Sequence, residues 1–116
     1  MVVDAKGQFS NKDDFVGTDF WVMARVRNKN KSYSYCYIKI LSKEEVTNEN
    51  GFTHSVYTIL ELDIRWLSRG DVYYCTQEDK DRKLNGSGAK VDSWDIKLIE
   101  PLEIATTDEM FKIKDN

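Results

Sequence analysis

Proline is nearly absent from this chain of 116 residues: Pro101 stands alone, which excludes a proline-rich linker or tail. Cysteine is scarce too, and Cys36 and Cys75 are too few and too far apart for a disulfide framework or a zinc motif. On the even-numbered face of its strand, Cys36 reads as a small apolar core group. Histidine occurs once, at His54 beside a glycine turn, with no serine or cysteine at a spacing that suggests nucleophilic catalysis. Its expected role is that of a solvated turn residue. No apolar run approaches the roughly 18 residues of a membrane-crossing helix. The start, Met-Val-Val-Asp-Ala-Lys-Gly, carries charges where a secretory leader needs an apolar stretch. A cytoplasmic protein with no membrane partner is therefore expected.

Other absences concern chemistry. The pairs Asp13-Asp14 and Glu44-Glu45 are sequence neighbours, and neighbours on a strand point to opposite faces, so they make no carboxylate dyad. Asp79-Lys80-Asp81 lacks the further oxygen ligands and the glycine spacing of a calcium loop. Gly86-Ser87-Gly88 is followed by neither Gly-Lys-Ser/Thr nor a helical pattern, as a phosphate loop would be. Arg69-Gly70-Asp71 reads as the turn into a strand. The expectation is a protein that is not an enzyme, with no catalytic residue, no metal and no cofactor.

What is present is an ordinary folded composition. The chain is 41% hydrophobic and 32% charged with 14 aromatic residues, enough for one hydrophobic core in a single domain spanning 1–116. A net charge of −3 excludes a strongly basic nucleic-acid binder and falls far short of an acidic DNA mimic. The charge is unevenly placed. Between Phe20 and Lys43 lie six basic residues and no acidic one, so a local +6 stands against −9 elsewhere.

That basic segment reads as a β-hairpin. Phe20, Val22, Ala24, Val26, Ser34, Cys36, Ile38 and Ile40 are small or apolar and share one face. Trp21, Met23, Arg25, Arg27, Tyr33, Tyr35, Tyr37 and Lys39 share the other. Closing Asn28–Ser32 as a polar loop pairs Arg27 with Tyr33, Arg25 with Tyr35, Met23 with Tyr37 and Trp21 with Lys39. It also pairs Ala24 with Cys36, Val22 with Ile38 and Phe20 with Ile40. A slip of one residue would mix the faces.

The second strand runs on to Val46 and turns at Glu49-Asn50-Gly51, a type I turn plus bulge with Gly51 at positive φ. Closing Asn48 against Phe52 pairs Ile40 with Leu60, Ile38 with Leu62, Lys39 with Glu61 and Lys43 with Tyr57. The expected core is this three-stranded meander, 19–63.

Flanking segments complete the reading. Ser10–Val16 suits a helical turn capped by Ser10, with Gly17 stopping it. Ile64–Arg69 is a compact connection in which Trp66 and Leu67 plug one end of the core. Asp71–Gln77 is a fourth strand, 78–90 a flexible polar loop, and Val91–Glu100 a fifth strand with Trp94, Ile96 and Leu98 alternating. Pro101 confines further pairing to an edge, and Leu102 with Ile104 suggests a short sixth strand. Thr106-Thr107-Asp108-Glu109 offers a capping box for a last helical turn. The expected fold is all-β and mainly antiparallel: a small five- to six-stranded barrel or curved sheet, OB-like or SH3-like, with one or two short helical turns.

The odd-numbered face is the candidate site: Trp21, Met23, Arg25, Arg27, Tyr33, Tyr35, Tyr37 and Lys39. Tyrosine, tryptophan, methionine and arginine are the types enriched at protein-interface centres. The expected function is a small interaction module that docks on a larger partner protein as inhibitor, adaptor or assembly subunit. The Lys-, Asn- and Tyr-rich composition suits a phage or an A/T-rich genome. The alternative is a single-stranded nucleic-acid binder that stacks bases on the tyrosines and holds phosphates with arginines, and self-association through this face or an edge strand is a third reading.

Overall fold

The hairpin forms in the expected register, and the rest of the molecule is built around it. The computed structural model describes residues 11–63, 73–100 and 102–113. Strand β1 (Phe20–Arg27) pairs antiparallel with β2 (Tyr33–Thr47), setting Arg25 opposite Tyr35, Met23 opposite Tyr37 and Ala24 opposite Cys36. Strand β3 (Thr53–Asp63) returns along β2 through the expected turn, with Gly51 at φ 80° and Asn48 N–H donating to the Phe52 carbonyl at 2.9 Å.

One extra residue then changes the meander. Between Ser42 and Ile40 the pairing shifts at Leu41, a β-bulge. Lys43 still faces Tyr57, but Ile40 faces Ile59, Lys39 faces Leu60 and Ile38 faces Glu61. The expected pairs of Ile40 with Leu60, Ile38 with Leu62 and Lys39 with Glu61 are thus overturned. Because side chains alternate, a shift of one puts the odd-numbered residues of β3, rather than the even ones, on the face that carries Ile38 and Ile40. Tyr57 and Ile59 enter the inner core with Val22, Ala24, Val26, Cys36, Ile38 and Ile40. Leu60 and Leu62 join Trp21, Met23 and Tyr37 on the outer face.

The outer face is therefore a second core. It is covered by α2 (Thr107–Met110) and by a two-stranded parallel pair, β4 (Tyr73–Cys75) with β8 (Phe111–Ile113). Cys75, Met110 and Phe111 are the buried hydrophobic residues these elements contribute. The capping box of α2 forms as expected, with the Thr106 hydroxyl receiving Glu109 N–H at 3.2 Å and Glu109 reaching back to Thr106 N–H at 2.9 Å. Helix α1 (Gln77–Leu84) replaces most of the expected flexible loop 78–90. Thr76 caps it, acids Glu78 and Asp79 occupy its first turn and bases Arg82 and Lys83 its last, the order its dipole favours.

The expected fifth strand is two strands. Strand β5 (Ala89–Asp92) pairs with β3, a 3-10 turn covers Ser93–Asp95, and β6 (Ile96–Leu98) pairs with β1. Strand β7 (Ile104–Thr106) also pairs with β1, further along. The sheet order is β5-β3-β2-β1-β6, so Ser93–Asp95 carries the chain from one edge to the other. So few residues span at most about 14 Å, and the sheet must curl until its edges come close. No pairing between β5 and β6 closes the barrel among the described residues. Of the two expected forms, closed barrel and curved sheet, the described residues show the curved sheet, a meander in which β6 returns to β1.

A 3-10 turn at Lys12–Phe15, capped by Asn11 rather than Ser10, drives the fully buried Phe15 into the inner core. The Lys12 ammonium donates to the carbonyls of Ser93 and Ile96, tying this plug to the edge-crossing turn. Ser10, 64–72 with Trp66 and Leu67, and Pro101 lie outside the described residues. No helix among the described residues is long and apolar enough to cross a membrane.

Two predictions follow from these contacts. Gly88 sits at φ 79°, and a Cβ there would lie 2.8 Å from the Ile59 carbonyl oxygen and 2.9 Å from Thr58 Cγ2. Gly88→Ala is expected to lower stability by about 2 kcal/mol or more. Gly51→Ala, with open space around the new methyl, costs only about 1 kcal/mol; urea unfolding of both variants checks the ranking. The Tyr57 hydroxyl donates to Asp13, and Lys43 lies 3.2 Å from the same carboxylate. Chiefly through the Tyr57 hydrogen bond, these hold the Asp13 carboxyl below its ordinary range. A depressed folded value stabilises above the unfolded value and is lost as pH falls through the folded one. Between about pH 5 and pH 2 the wild type should lose more stability than Asp13→Asn, read from urea midpoints across that range.

Candidate functional site

The eight residues of the candidate face divide into two groups. Trp21, Met23 and Tyr37 are buried, at 1%, 4% and 3% exposure, beneath α2 and the β4–β8 pair. They are core residues, and the greasy extension of the surface patch they were expected to form is absent. The physical reason is the bulge: with Leu60 and Leu62 turned outward, this end of the face is too apolar to stay in water. Trp21 donates its indole N–H to the Thr107 hydroxyl at 3.1 Å, and that hydroxyl donates to Asp19. Lys39 ends the same network, 3.3 Å from Asp19. Burial would raise the Asp19 carboxyl, but the Thr107 hydroxyl and Lys39 outweigh it and hold it below its ordinary range. Lys39 is therefore committed to the protein's own carboxylate.

Arg25, Arg27, Tyr33 and Tyr35 remain accessible at the other end of the hairpin. Tyr33 and Tyr35 are 49% and 52% exposed. The guanidinium carbons of Arg25 and Arg27 lie 4.5 and 5.7 Å from the Tyr33 ring centroid, so the two arginines are held against that ring. Lys97 on β6 stands beside Arg25, a neighbour the hairpin sequence alone could not supply. Lys29 and Lys31 project from the turn 28–32, which repeats the geometry of the second turn with Lys31 at φ 72° in place of glycine. Asn28 braces it by donating to the hydroxyls of Ser32 at 3.1 Å and Ser34 at 2.9 Å.

Elsewhere the cations are matched by the protein's own acids. Lys43 meets Asp13, Lys80 meets Asp108, Arg82 meets Asp79 and Lys90 meets Glu44. Among the described residues, Arg25, Arg27, Lys29, Lys31 and Lys97 meet no carboxylate within ion-pair distance. The unneutralised positive charge is thus gathered at one end of the sheet, around two exposed tyrosines.

Beside this patch the unclosed edges leave a cleft. Two adjoining depressions of about 320 and 310 Å³ share Arg27, Asn28, Lys29, Asp92 and Asp95 in their walls. Val26 and Val91 give the larger one an apolar lining, and Trp94 borders the smaller. Trp94 is 59% exposed and tops an aromatic cluster, with His54 4.6 Å and Phe52 6.3 Å away between ring centroids. His54 is not the solvated turn residue expected. Its side chain is mostly covered, Nε2 lies 2.9 Å from the Asp92 carboxylate, and Nδ1 is buried without a hydrogen-bond partner. Sequence reading missed Trp94 as a surface group because it alternates with Ile96 and Leu98. The usable signal was Asp92-Ser93 with Asp95, turn-forming residues that break the strand just where Trp94 is thrown outward.

No group of three or more His, Cys, Asp or Glu side chains is placed to hold a metal among the described residues. Both cysteines are free and buried, and burial pushes the Cys75 thiol up. Comparison with protein-family models, curated proteins and solved structures finds no match to this chain.

The patch side chains are surface groups, so their replacement should spare the fold. Arg25→Glu combined with Tyr35→Ala is expected to change unfolding free energy by about 1 kcal/mol or less. Thermal melting and far-UV circular dichroism check this, and a collapse of the melting transition would place the pair in the core.

Proposed function

We propose that this protein is a small cytoplasmic interaction module that acts without catalysis, docking on a larger partner protein as an inhibitor, adaptor or assembly subunit. The observation that carries the reading is the cluster of Arg25, Arg27, Lys29, Lys31 and Lys97 around the exposed Tyr33 and Tyr35, with no carboxylate of the described chain neutralising it. Exposed tyrosine and arginine are types enriched at interface centres, where a few such residues carry most of the binding energy, and the lysines around them suit the polar rim. The contact surface is now Arg25, Arg27, Tyr33 and Tyr35, extended by Lys97 and Trp94 in place of the buried Trp21, Met23 and Tyr37.

Two features weigh against the single-stranded nucleic-acid alternative. Arg25 and Arg27 lie against Tyr33, the ring a base would stack on. Asp92 and Asp95 set two carboxylates among Arg27, Lys29 and Lys31 in the adjoining cleft, where a backbone of phosphates would meet like charge.

Affinity capture from lysate of the native host, with and without nuclease, tests the reading. Wild-type protein should retain its partner after nuclease, and the Arg25→Glu, Tyr35→Ala protein should lose it. Capture that the double variant leaves intact would overturn the assignment of this face. Capture that nuclease abolishes would turn the function to nucleic acid.

A further inference from the structure

We infer that the Arg–Tyr patch and the cleft beside Trp94 form one continuous groove for an extended acidic segment of the partner, with an apolar side chain seated against Trp94. The inference rests on the protein-docking reading and specifies the partner's chemistry. Arg27 joins the two halves, since its guanidinium lies near the Tyr33 ring and the residue also lines both depressions.

The charge of the segment follows from the cations. An arginine held over a tyrosine ring by its cationic carbon can still turn N–H groups toward a carboxylate in bidentate geometry. Arg25 is held this way at 4.5 Å, with Lys97 beside it on the neighbouring strand. Lys29 and Lys31 extend the positive potential to the mouth of the smaller depression. Here Asp92 and Asp95 offset much of that positive charge, so the acidic residues belong at the Arg25–Arg27 end and an uncharged side chain at the Trp94 end.

The extended form follows from the sheet. Strand β5 has β3 on one side and no strand on the other among the described residues, and the larger depression lies between β5 and the end of β1. An unpaired edge offers main-chain donors and acceptors that only another extended chain satisfies in series. Ala89 and the half-buried Val91 on β5 provide apolar contact for such a chain, and the exposed Trp94 provides the anchor.

Selection of a random peptide library displayed on phage, using the wild-type protein as bait, tests this chemistry directly. The enriched peptides should carry several Asp or Glu residues to one side of an aromatic or branched apolar residue. The affinity of the leading synthetic peptide should fall at least about tenfold for Trp94→Ala and, separately, for Arg25→Glu with Arg27→Glu. It should also weaken as salt rises, because the patch is exposed. The turn variant Lys29→Glu with Lys31→Glu gives a second charge test at residues the sheet does not need. Enrichment of basic or neutral peptides, no enrichment at all, or affinity that these variants leave unchanged would overturn the inference. An oligo(dT) strand that displaces the peptide and binds more tightly would overturn it in favour of nucleic acid. If the selection fails while the Arg25→Glu, Tyr35→Ala protein still loses its native partner, the acidic-segment inference falls and the docking face stands.

Discussion

The extra residue at Leu41 in the β2–β3 ladder decides what each face of the sheet can do. Without it, β3 would send Leu60 and Leu62 inward and leave Tyr57 and Ile59 to the other side. With it, both faces of the curved sheet become apolar over part of their area, and both must be covered. The inner face is covered by the sheet's own curl and by Phe15. The outer face is covered by α2, β4 and β8, which have little other reason to pack where they do. The length of uncovered sheet at the far end of the hairpin, carrying Arg25, Tyr33 and Tyr35, is what remains once that second layer has been laid down.

Electrostatics follows from the same division. Where layers meet, cations are drawn into the protein's own networks: Lys39 with Asp19 and Thr107, Lys43 with Asp13 and Tyr57, Lys12 with the carbonyls of the edge-crossing turn. Such matching lowers the cost of holding charge near a core. Past the end of the covering layer there is no such demand, and the arginines and lysines remain open to solvent and to a partner.

Much of the fold was legible in the sequence, and the departures have specific causes. Alternation fixed the β1–β2 register because every apolar residue on the even face agrees with one pairing. Turn chemistry placed Gly51, and the Thr106–Glu109 box placed α2. The bulge at Leu41 was hidden because β3 carries apolar residues at both parities, so alternation does not choose between registers there. A signal for the second layer was present in the unbroken run Phe20-Trp21-Val22-Met23-Ala24, the pattern of a strand buried on both faces. The site was half legible: Arg25, Arg27, Tyr33 and Tyr35 lie where local pairing puts them, whereas Lys97, Asp92 and Trp94 arrive from distant segments.

By itself the sequence determined the hairpin, its two faces and the concentration of positive charge along it, since these depend only on side-chain alternation and on residues close in the chain. Tertiary structure alone decided which part of the odd face stays in water. That outcome depends on a one-residue shift in a neighbouring strand and on elements that follow β3 in the chain, and burial is set by the sum of all neighbours in space. Trp21, Met23 and Tyr37 became core and Arg25, Tyr33 and Tyr35 became surface, although their alternation along the strands is identical.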